Sequence, residues 1–163
     1  MTVAPSTTES TTAQYISFRL SQGLRGMLPT GQLAETINLD LGNIVQMPDL
    51  PPAVAGVCGW RGEVLWLVDL SYALRLPPLL AGDYANAKCS VLRVTVQQQS
   101  FGVLVTEVQQ LIRCDRQKII PEAPPQIPKE VASIITGQFQ PSPGEIILSI
   151  DLEALLERLK RPG

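Results

Sequence analysis

Short segments of apolar residues, separated by turn-forming residues, recur along the chain at the lengths typical of β-strands. Residues 15–20 alternate between apolar and polar side chains, which predicts a half-buried strand. Residues 63–69 are mostly apolar, follow Gly59 and Gly62, and are short for a helix, so they predict a central, largely buried strand. Further strands are predicted at residues 89–96, 101–107, 110–115, 131–139 and 145–150.

Glycine, proline and helical periodicity mark the remaining segments. Residues 23–26 predict a turn, because glycine stands at both ends. The 14 prolines concentrate in residues 48–52, 77–78 and 121–128, where a missing N–H donor would interrupt a sheet, so these segments predict connections. A helix capped by Asp151 is predicted at the C-terminal end, because four leucines recur there with the spacing of one apolar face: Leu152, Leu155, Leu156 and Leu159.

The chain contains an internal similarity. Residues 62–70 match residues 144–152 without a gap, 82 positions apart, with identical glycine, glutamate, aspartate and final leucine. Two weaker similarities have nearly the same displacement: residues 26–30 with 102–106, and residues 54–56 with 135–137. We therefore predict two similar halves, each a set of short strands. Closure of each half into a small barrel would remove the exposed edges of a flat sheet.

Composition narrows the class of protein. A chain of 163 residues that is 45% hydrophobic and 17% charged forms one domain, or two closely joined small ones. Residues 1–13 are polar and predict a disordered tail. The net charge of −2 offers no basic field for nucleic acid or an anionic membrane surface. The absence of histidine excludes Ser-His and Cys-His nucleophilic pairs, histidine metal sites and a phosphohistidine carried by this chain.

The three cysteines indicate a reduced compartment. Cys58, Cys89 and Cys114 are odd in number, widely spaced and set among apolar residues, which predicts small buried side chains and not disulfides or metal ligands. The apolar runs are far shorter than the ~20 residues that span a bilayer, and the polar N-terminus does not resemble a signal peptide. We therefore expect a cytoplasmic protein without direct membrane insertion.

Carboxylates beside two predicted strands provide the best candidates for acid–base chemistry. Glu63 and Asp69, like Glu145 and Asp151, are six positions apart, which separates them by roughly 20 Å along a strand. Asp69 and Asp151 each precede a leucine and a helical pattern, where capping is their expected role. Without a convincing nucleophile and base or a phosphate-binding loop, we expect no enzyme activity, no cofactor and no metal.

An unusual turn precedes the strand at residues 63–69. Trp60 and Arg61 stand between Gly59 and Gly62. In one interpretation Trp60 covers a barrel and Arg61 is merely solvated. In the other, the turn presents both side chains to a partner protein, because tryptophan and arginine are enriched among residues that dominate interface affinity. The residues alone leave both interpretations open.

The order of these motifs resembles the CheW family of chemotaxis coupling proteins, from about residue 15 to residue 159. The resemblance rests on five elements in succession: Leu33-Ala34-Glu35, the proline turn at residues 48–52, residues 54–57, Arg61-Gly62 and residues 65–70. The usual family sequence has Asn-Leu before Arg-Gly, whereas this chain has Gly59-Trp60. That departure is similar to CheW-like proteins of type IV pilus motility and phototaxis systems.

The resemblance implies a mostly β, CheW-like fold with two small five-stranded β-barrel subdomains, short helices and a C-terminal helix. Residues 14–160 would form this single domain and residues 161–163 a C-terminal tail. It also implies a non-enzymatic signalling adaptor that binds the CheW-like regulatory domain of a CheA-type histidine kinase and the cytoplasmic tip of a methyl-accepting chemoreceptor or photoreceptor. Such a protein would be recruited to membrane receptor arrays through these partners.

The resemblance also implies which residues contact the partners. By their positions in the motifs, these are Leu33, Glu35, Trp60, Arg61 and Gly62. An alternative function is a small-ligand-binding β-barrel, in which Trp60, Trp66 and Tyr72 would line an apolar pocket. A hydrolase of unrecognised type is a third and weaker alternative, because the chain offers no evident catalytic pair.

Overall fold

The computed structural model describes residues 11–79 and 88–160, which form ten β-strands and two α-helices. The strands are β1 (Thr12–Arg19), β2 (Arg25–Pro29), β3 (Leu33–Asp40), β4 (Val54–Trp60), β5 (Glu63–Asp69), β6 (Lys88–Val96), β7 (Gln99–Val105), β8 (Glu107–Asp115), β9 (Ile135–Phe139) and β10 (Ile147–Ile150). The helices are α1 (Leu70–Ala73) and α2 (Leu152–Lys160).

The strands form two five-stranded sheets. One sheet, which we call the central barrel, has the order β3-β6-β7-β5-β4 and is continuous in sequence. The other, the terminal barrel, has the order β8-β1-β2-β10-β9 and combines strands from both ends of the chain. The fold is therefore mostly β with two five-stranded units, as predicted.

Each sheet closes on itself through one further bridge. In the central barrel, Val45 lies beyond the end of β3 and exchanges two backbone hydrogen bonds with Val57 of β4, of 2.8 and 2.9 Å. In the terminal barrel, Ile120 lies beyond β8 and exchanges two bonds of 2.8 Å with Gln138 of β9. These bridges join the two edge strands of each sheet, which is how small barrels avoid exposed edges.

The closing bridges require glycine at equivalent positions. A Cβ atom on Gly56 of β4 would collide with the carbonyl oxygen of Val45, and a Cβ on Gly137 of β9 would collide with that of Ile120. The predicted correspondence of residues 54–56 with 135–137 is therefore confirmed. Its physical cause is the close approach of the closing segment to the strand.

Strands β5 and β10 occupy equivalent places, as the main internal similarity predicts. Strand β5 pairs antiparallel with β4 and parallel with β7, and β10 pairs antiparallel with β9 and parallel with β2. Leu67 lies opposite Gly56, and Ser149 lies opposite Gly137, so Leu67 and Ser149, which are 82 residues apart, occupy equivalent positions. A short helix follows each strand: α1 after β5 and α2 after β10.

The weaker similarity between β2 and β7 is one residue out of register, so this part of the predicted repeat is wrong. Gly26 lies on the face of β2 that contacts the core between the barrels, whereas Gly102 faces the interior of the central barrel. Gly26 pairs with Phe18, and the matching pair in the central barrel is Phe101 with Val94. The phenylalanine of this strand pair is therefore on β1 in the terminal barrel, whereas in the central barrel it is on β7, the equivalent of β2.

Three apolar cores hold the fold together. The largest lies between the barrels and includes Phe18, Leu28 and Leu148 from one, Leu92, Phe101 and Val103 from the other, and the apolar face of α2. Smaller cores fill the barrel interiors. The cysteines are buried and free, with Cys58 and Cys89 in the central interior and Cys114 in the terminal one. Burial of these thiols agrees with the predicted role as small apolar side chains.

Several predicted boundaries differ from the structure. Residues 129–134 form a 3-10 helix, so only Ile135–Phe139 of the segment predicted at 131–139 is a strand. Thr12 and Ala13 belong to β1, although the predicted tail extends to residue 13. The rest of that tail up to residue 10 and residues 161–163 lie outside the described residues. No helix among the described residues is long and apolar enough to cross a membrane.

Candidate functional site

A cluster of polar side chains on the central barrel surrounds the carboxylate of Glu35, which lies on β3. The indole Nε1 of Trp60 donates to Glu35 Oε2 at 3.2 Å, and Arg93 Nη1 donates to the same oxygen at 3.0 Å. Arg61 Nη2 lies 3.3 Å from the other carboxylate oxygen. Arg93 also faces Glu63, at 3.6 Å. We call these five residues the Glu35 cluster.

The hairpin between β4 and β5 places Trp60 and Arg61. The two residues of its turn, Arg61 and Gly62, both have positive φ, of 53° and 80°. This combination defines a type I′ turn, whose twist matches that of the flanking strands. Glycine adopts such angles freely, but for arginine they are uncommon. The turn thus holds an arginine, not the usual asparagine or aspartate, directly after the last residue of β4.

Exposure differs sharply among the charges of the cluster. The side chains of Glu35 and Arg93 are 19% and 26% exposed, whereas those of Arg61 and Glu63 are 71% and 73% exposed. The guanidinium of Arg61 also lies 5.4 Å from the centre of the Trp60 ring. Glu35 and Arg93 therefore form the partly buried base of the cluster, and the Arg61 guanidinium is its solvent-facing end.

The structure brings together four of the five residues predicted as partner contacts. Glu35, Trp60 and Arg61 are in direct contact, and Gly62 completes their turn. Leu33, at the start of β3, is half-buried and packs against the core between the barrels, so its side chain contributes mainly to packing.

Sequence reasoning missed Arg93 and the role of Glu63 in this cluster. Arg93 is separated from Glu35 by 58 positions and meets it because β3 pairs with β6, with the two residues directly opposite. Arg93 is the single charged residue of the strand predicted at residues 89–96, and that was the available signal. Glu63 was interpreted only as a candidate acid, whereas its carboxylate faces a guanidinium.

The candidate carboxylate pairs do not form acid–base sites. Asp69 caps α1, where its side chain accepts from the backbone N–H of Tyr72 at 3.1 Å and of Leu79 at 2.7 Å. Asp151 accepts from the N–H of Ala154 at 3.0 Å, so both predicted caps are confirmed. Burial raises the pKa of Asp69, against the opposing effect of its backbone hydrogen bonds. Glu145 pairs with Arg25 at 3.2 Å.

The aromatic residues proposed for a ligand pocket lie apart from one another. Trp60 belongs to the Glu35 cluster, Trp66 is 43% exposed on β5, and Tyr72 lies on α1. The structure therefore contradicts a pocket formed by these three side chains. Within the described residues, no group of three or more acidic or cysteine side chains is placed to hold a metal ion.

Two closed five-stranded barrels around a shared core, with the polar cluster on a surface hairpin, define a double-barrel β-domain. The chain belongs to the family of CheW-like domains, whose model matches residues 14–160. Among solved structures, the chain is similar to the scaffolding protein TtCheW from Thermoanaerobacter tengcongensis, with a TM-score of 0.69 and 20% sequence identity over 86% of this chain and 84% of that one. No curated protein matches the chain in sequence. The predicted CheW-like fold is confirmed.

Proposed function

We propose that this protein is a non-enzymatic adaptor that couples a methyl-accepting receptor to a CheA-type histidine kinase. Two findings support the proposal: the family match extends over nearly the whole described chain, and the structural relative is described as a scaffolding protein. The complete lack of histidine fits an adaptor, because the phosphorylated histidine of such a system belongs to the kinase.

The observation that carries the proposal is the geometry of Arg61. Its side chain is 71% exposed, yet it starts from a tight turn and its guanidinium contacts Glu35 and the Trp60 ring. A side chain ordered before binding loses less entropy when a partner docks. An exposed arginine beside tryptophan is also the type of pair that dominates affinity at protein interfaces. We infer that Arg61 pairs with a carboxylate of the kinase domain or receptor tip.

A substitution of Arg61 tests this contact. Interfaces of complexes that assemble and rearrange bury at most the standard total area of roughly 1,600 Å². A few residues therefore contribute most of the binding free energy. Arg61→Ala should weaken binding to one partner by about 2–5 kcal/mol if the partner's carboxylate is left desolvated and unpaired. Unfolding free energy should change by only about 0.5 kcal/mol, because the side chain is on the surface.

The measurement is calorimetric titration against the kinase regulatory domain and the receptor tip from the same organism, paired with urea unfolding. Arg19→Ala is the matched control, since Arg19 is half-exposed and forms a surface ion pair with Glu107 at 3.7 Å on the terminal barrel. Equal affinities of the Arg61 and Arg19 variants for both partners would contradict the contact assignment. A large loss of stability with unchanged affinity would make Arg61 a structural residue.

We further propose that the adaptor acts in type IV pilus motility or phototaxis and is recruited from the cytoplasm to receptor arrays. Gly59-Trp60 in place of the usual Asn-Leu supports this setting, because that departure is similar to CheW-like proteins of type IV pilus motility and phototaxis systems. Isolation of the native complexes tests it. Recovery of a pilus-associated or photoreceptor-type partner is expected, and recovery of only flagellar components would contradict the assignment.

A further inference from the structure

A polar cavity opens at the mouth of the terminal barrel, whereas the Glu35 cluster lies on the central barrel. It lies where β2 and β10 end and where β1 and β9 begin, and its volume is about 590 Å³. Cavities of a few hundred cubic ångströms are large enough for small organic ligands. Its polar lining includes Tyr15, Arg116 and Ser149.

Two buried hydroxyl groups in this cavity are without partners. Tyr15 is 5% exposed and Ser149 is 4% exposed, and neither side chain makes a hydrogen bond within residues 11–79 and 88–160. In that part of the chain, every fully enclosed side-chain oxygen has a hydrogen-bond partner. The two hydroxyl oxygens have none, so they are not fully enclosed and are accessible from the cavity. Buried hydroxyls are normally hydrogen-bonded. Two donors without protein partners at one cavity are therefore available to a ligand.

The central barrel carries apolar side chains at two positions equivalent to polar residues of this lining. Arg116 begins the 3-10 turn after β8, and its counterpart after β3 is Leu41. Ser149 has Leu67 as its counterpart on β5. Both leucines are buried, at 4% and 0% exposure, and belong to the apolar interior. The terminal barrel thus replaces an apolar plug with a guanidinium and a hydroxyl.

The lining has the chemistry of a carboxylate site. It includes hydroxyl donors and one guanidinium but no acidic residue, and its remaining wall includes apolar residues such as Ile119 and Pro121. Burial raises the pKa of Tyr15, although the nearby Arg116 charge acts to lower it, so the phenol stays protonated at neutral pH and can donate. Arginine and hydroxyl donors recognise carboxylates through charge-assisted hydrogen bonds.

We propose that the mouth of the terminal barrel binds a small organic carboxylate. Its carboxylate accepts hydrogen bonds from Tyr15 and Ser149 and pairs with Arg116. Its apolar body packs against Ile119 and Pro121. This inference is independent of the proposed coupling function, because it concerns the other barrel and needs no protein partner.

The test is a titration of the full ¹⁵N-labelled chain with acetate, hexanoate and benzoate, followed by amide chemical shifts. Benzamide and hexanamide serve as uncharged counterparts. At least one carboxylate should produce saturable shifts confined to the ends of β1, β2, β9 and β10, with an affinity roughly tenfold higher than that of its amide.

Variants separate binding at this site from weak general binding. Arg116→Gln should lower the affinity about tenfold, because it removes the charge and keeps a polar side chain. Arg116→Leu, which introduces the central barrel's plug residue, should abolish binding. Arg19→Gln, at the far end of β1, is the control and should bind like the original protein. Shifts of the central-barrel residues report that each variant is folded.

Three results of the titrations with the carboxylates, the amides and the Arg116 variant would each overturn the proposal. These are no saturable shifts with any of the three carboxylates, equal affinity for carboxylate and amide, or equal loss in the Arg116→Gln and Arg19→Gln variants. Tyr15→Phe and Ser149→Ala should each weaken binding several-fold, since each removes one donor. Unchanged affinity in both of these variants would also contradict it.

Discussion

Glu35 connects three donors that are distant in the sequence, and its carboxylate determines how the cluster is ordered. Both of its oxygens are occupied, one by Trp60 and Arg93 and the other by Arg61. Because the Glu35 side chain is only 19% exposed, its hydrogen bonds are less screened than those of a free surface pair. Glu35 thereby holds Arg61 at the solvent-facing end of the cluster.

Substitution of Glu35 should disorder this arrangement without unfolding the protein. Glu35→Gln keeps an acceptor for the Trp60 indole but removes the charge, and Glu35→Ala removes both. We expect a loss of about 1 kcal/mol of stability in either variant. The indole N–H resonance of Trp60 should shift strongly in Glu35→Ala and little in Glu35→Gln. An identical response of the Trp60 resonance in the two variants would contradict the hydrogen bond.

The buried thiol of Cys89 predicts alkaline sensitivity. Burial, with smaller contributions from Asp69, Cys58 and Asp40, raises the pKa of Cys89 from 9.0 to about 12. The unfolded chain then loses this proton at lower pH than the folded protein, so the free energy of unfolding falls as pH rises above about 9, by up to about 1.4 kcal/mol per unit. The stabilisation is fully present below that pH.

Urea unfolding between about pH 8 and about pH 10.5 measures this effect. Cys89→Ala should reduce the slope, although part of it should remain because burial also raises the pKa of Cys58, Cys114 and Tyr15. Parallel curves for the original protein and the variant would show that the Cys89 thiol does not titrate as expected.

At the scale of elements, the closing bridges depend on small residues. Gly137→Ala should push the closing segment at Ile120 away from β9 and cost about 1–3 kcal/mol, because the obstructing atom is a backbone carbonyl oxygen that cannot rotate aside. Gly59→Ala is the matched control, since a Cβ on Gly59 would meet no atom within 4 Å. Urea unfolding compares the two. Equal unfolding free energies of the two variants would contradict a steric requirement for glycine at position 137.

The same glycines explain which elements could be predicted from sequence. Strand β5 has its predicted boundaries because its apolar and branched residues have a high strand propensity. Strands β2 and β4 were not predicted, since Gly26 and Gly59 suggested turns, and β3, which contains no glycine, was not predicted either. In the structure, pairing with neighbouring strands determines the conformation of all three, and Gly26 of β2 and Gly56 of β4 are needed for close packing.

The candidate site could be predicted only where its residues are close in sequence. Trp60, Arg61 and Gly62 belong to one hairpin, so their proximity follows from the motif itself. Arg93 joins them through the pairing of β3 with β6, which no local pattern shows. The cavity in the terminal barrel depends on a register between strands from opposite ends of the chain.

At the scale of the whole molecule, the order of the strands along the chain affects how the protein is made on the ribosome. The central barrel is complete once β7 has emerged, whereas β2 must wait for its partner β10, which is synthesised about 120 residues later. During this interval the outer face of the central barrel, with Phe101 and Val103, lacks its cover. Stalled nascent chains in which β7 has left the ribosome and β10 has not should therefore resist proteolysis in the central barrel, remain cleavable in β1 and β2, and bind holdase chaperones until β10 is released.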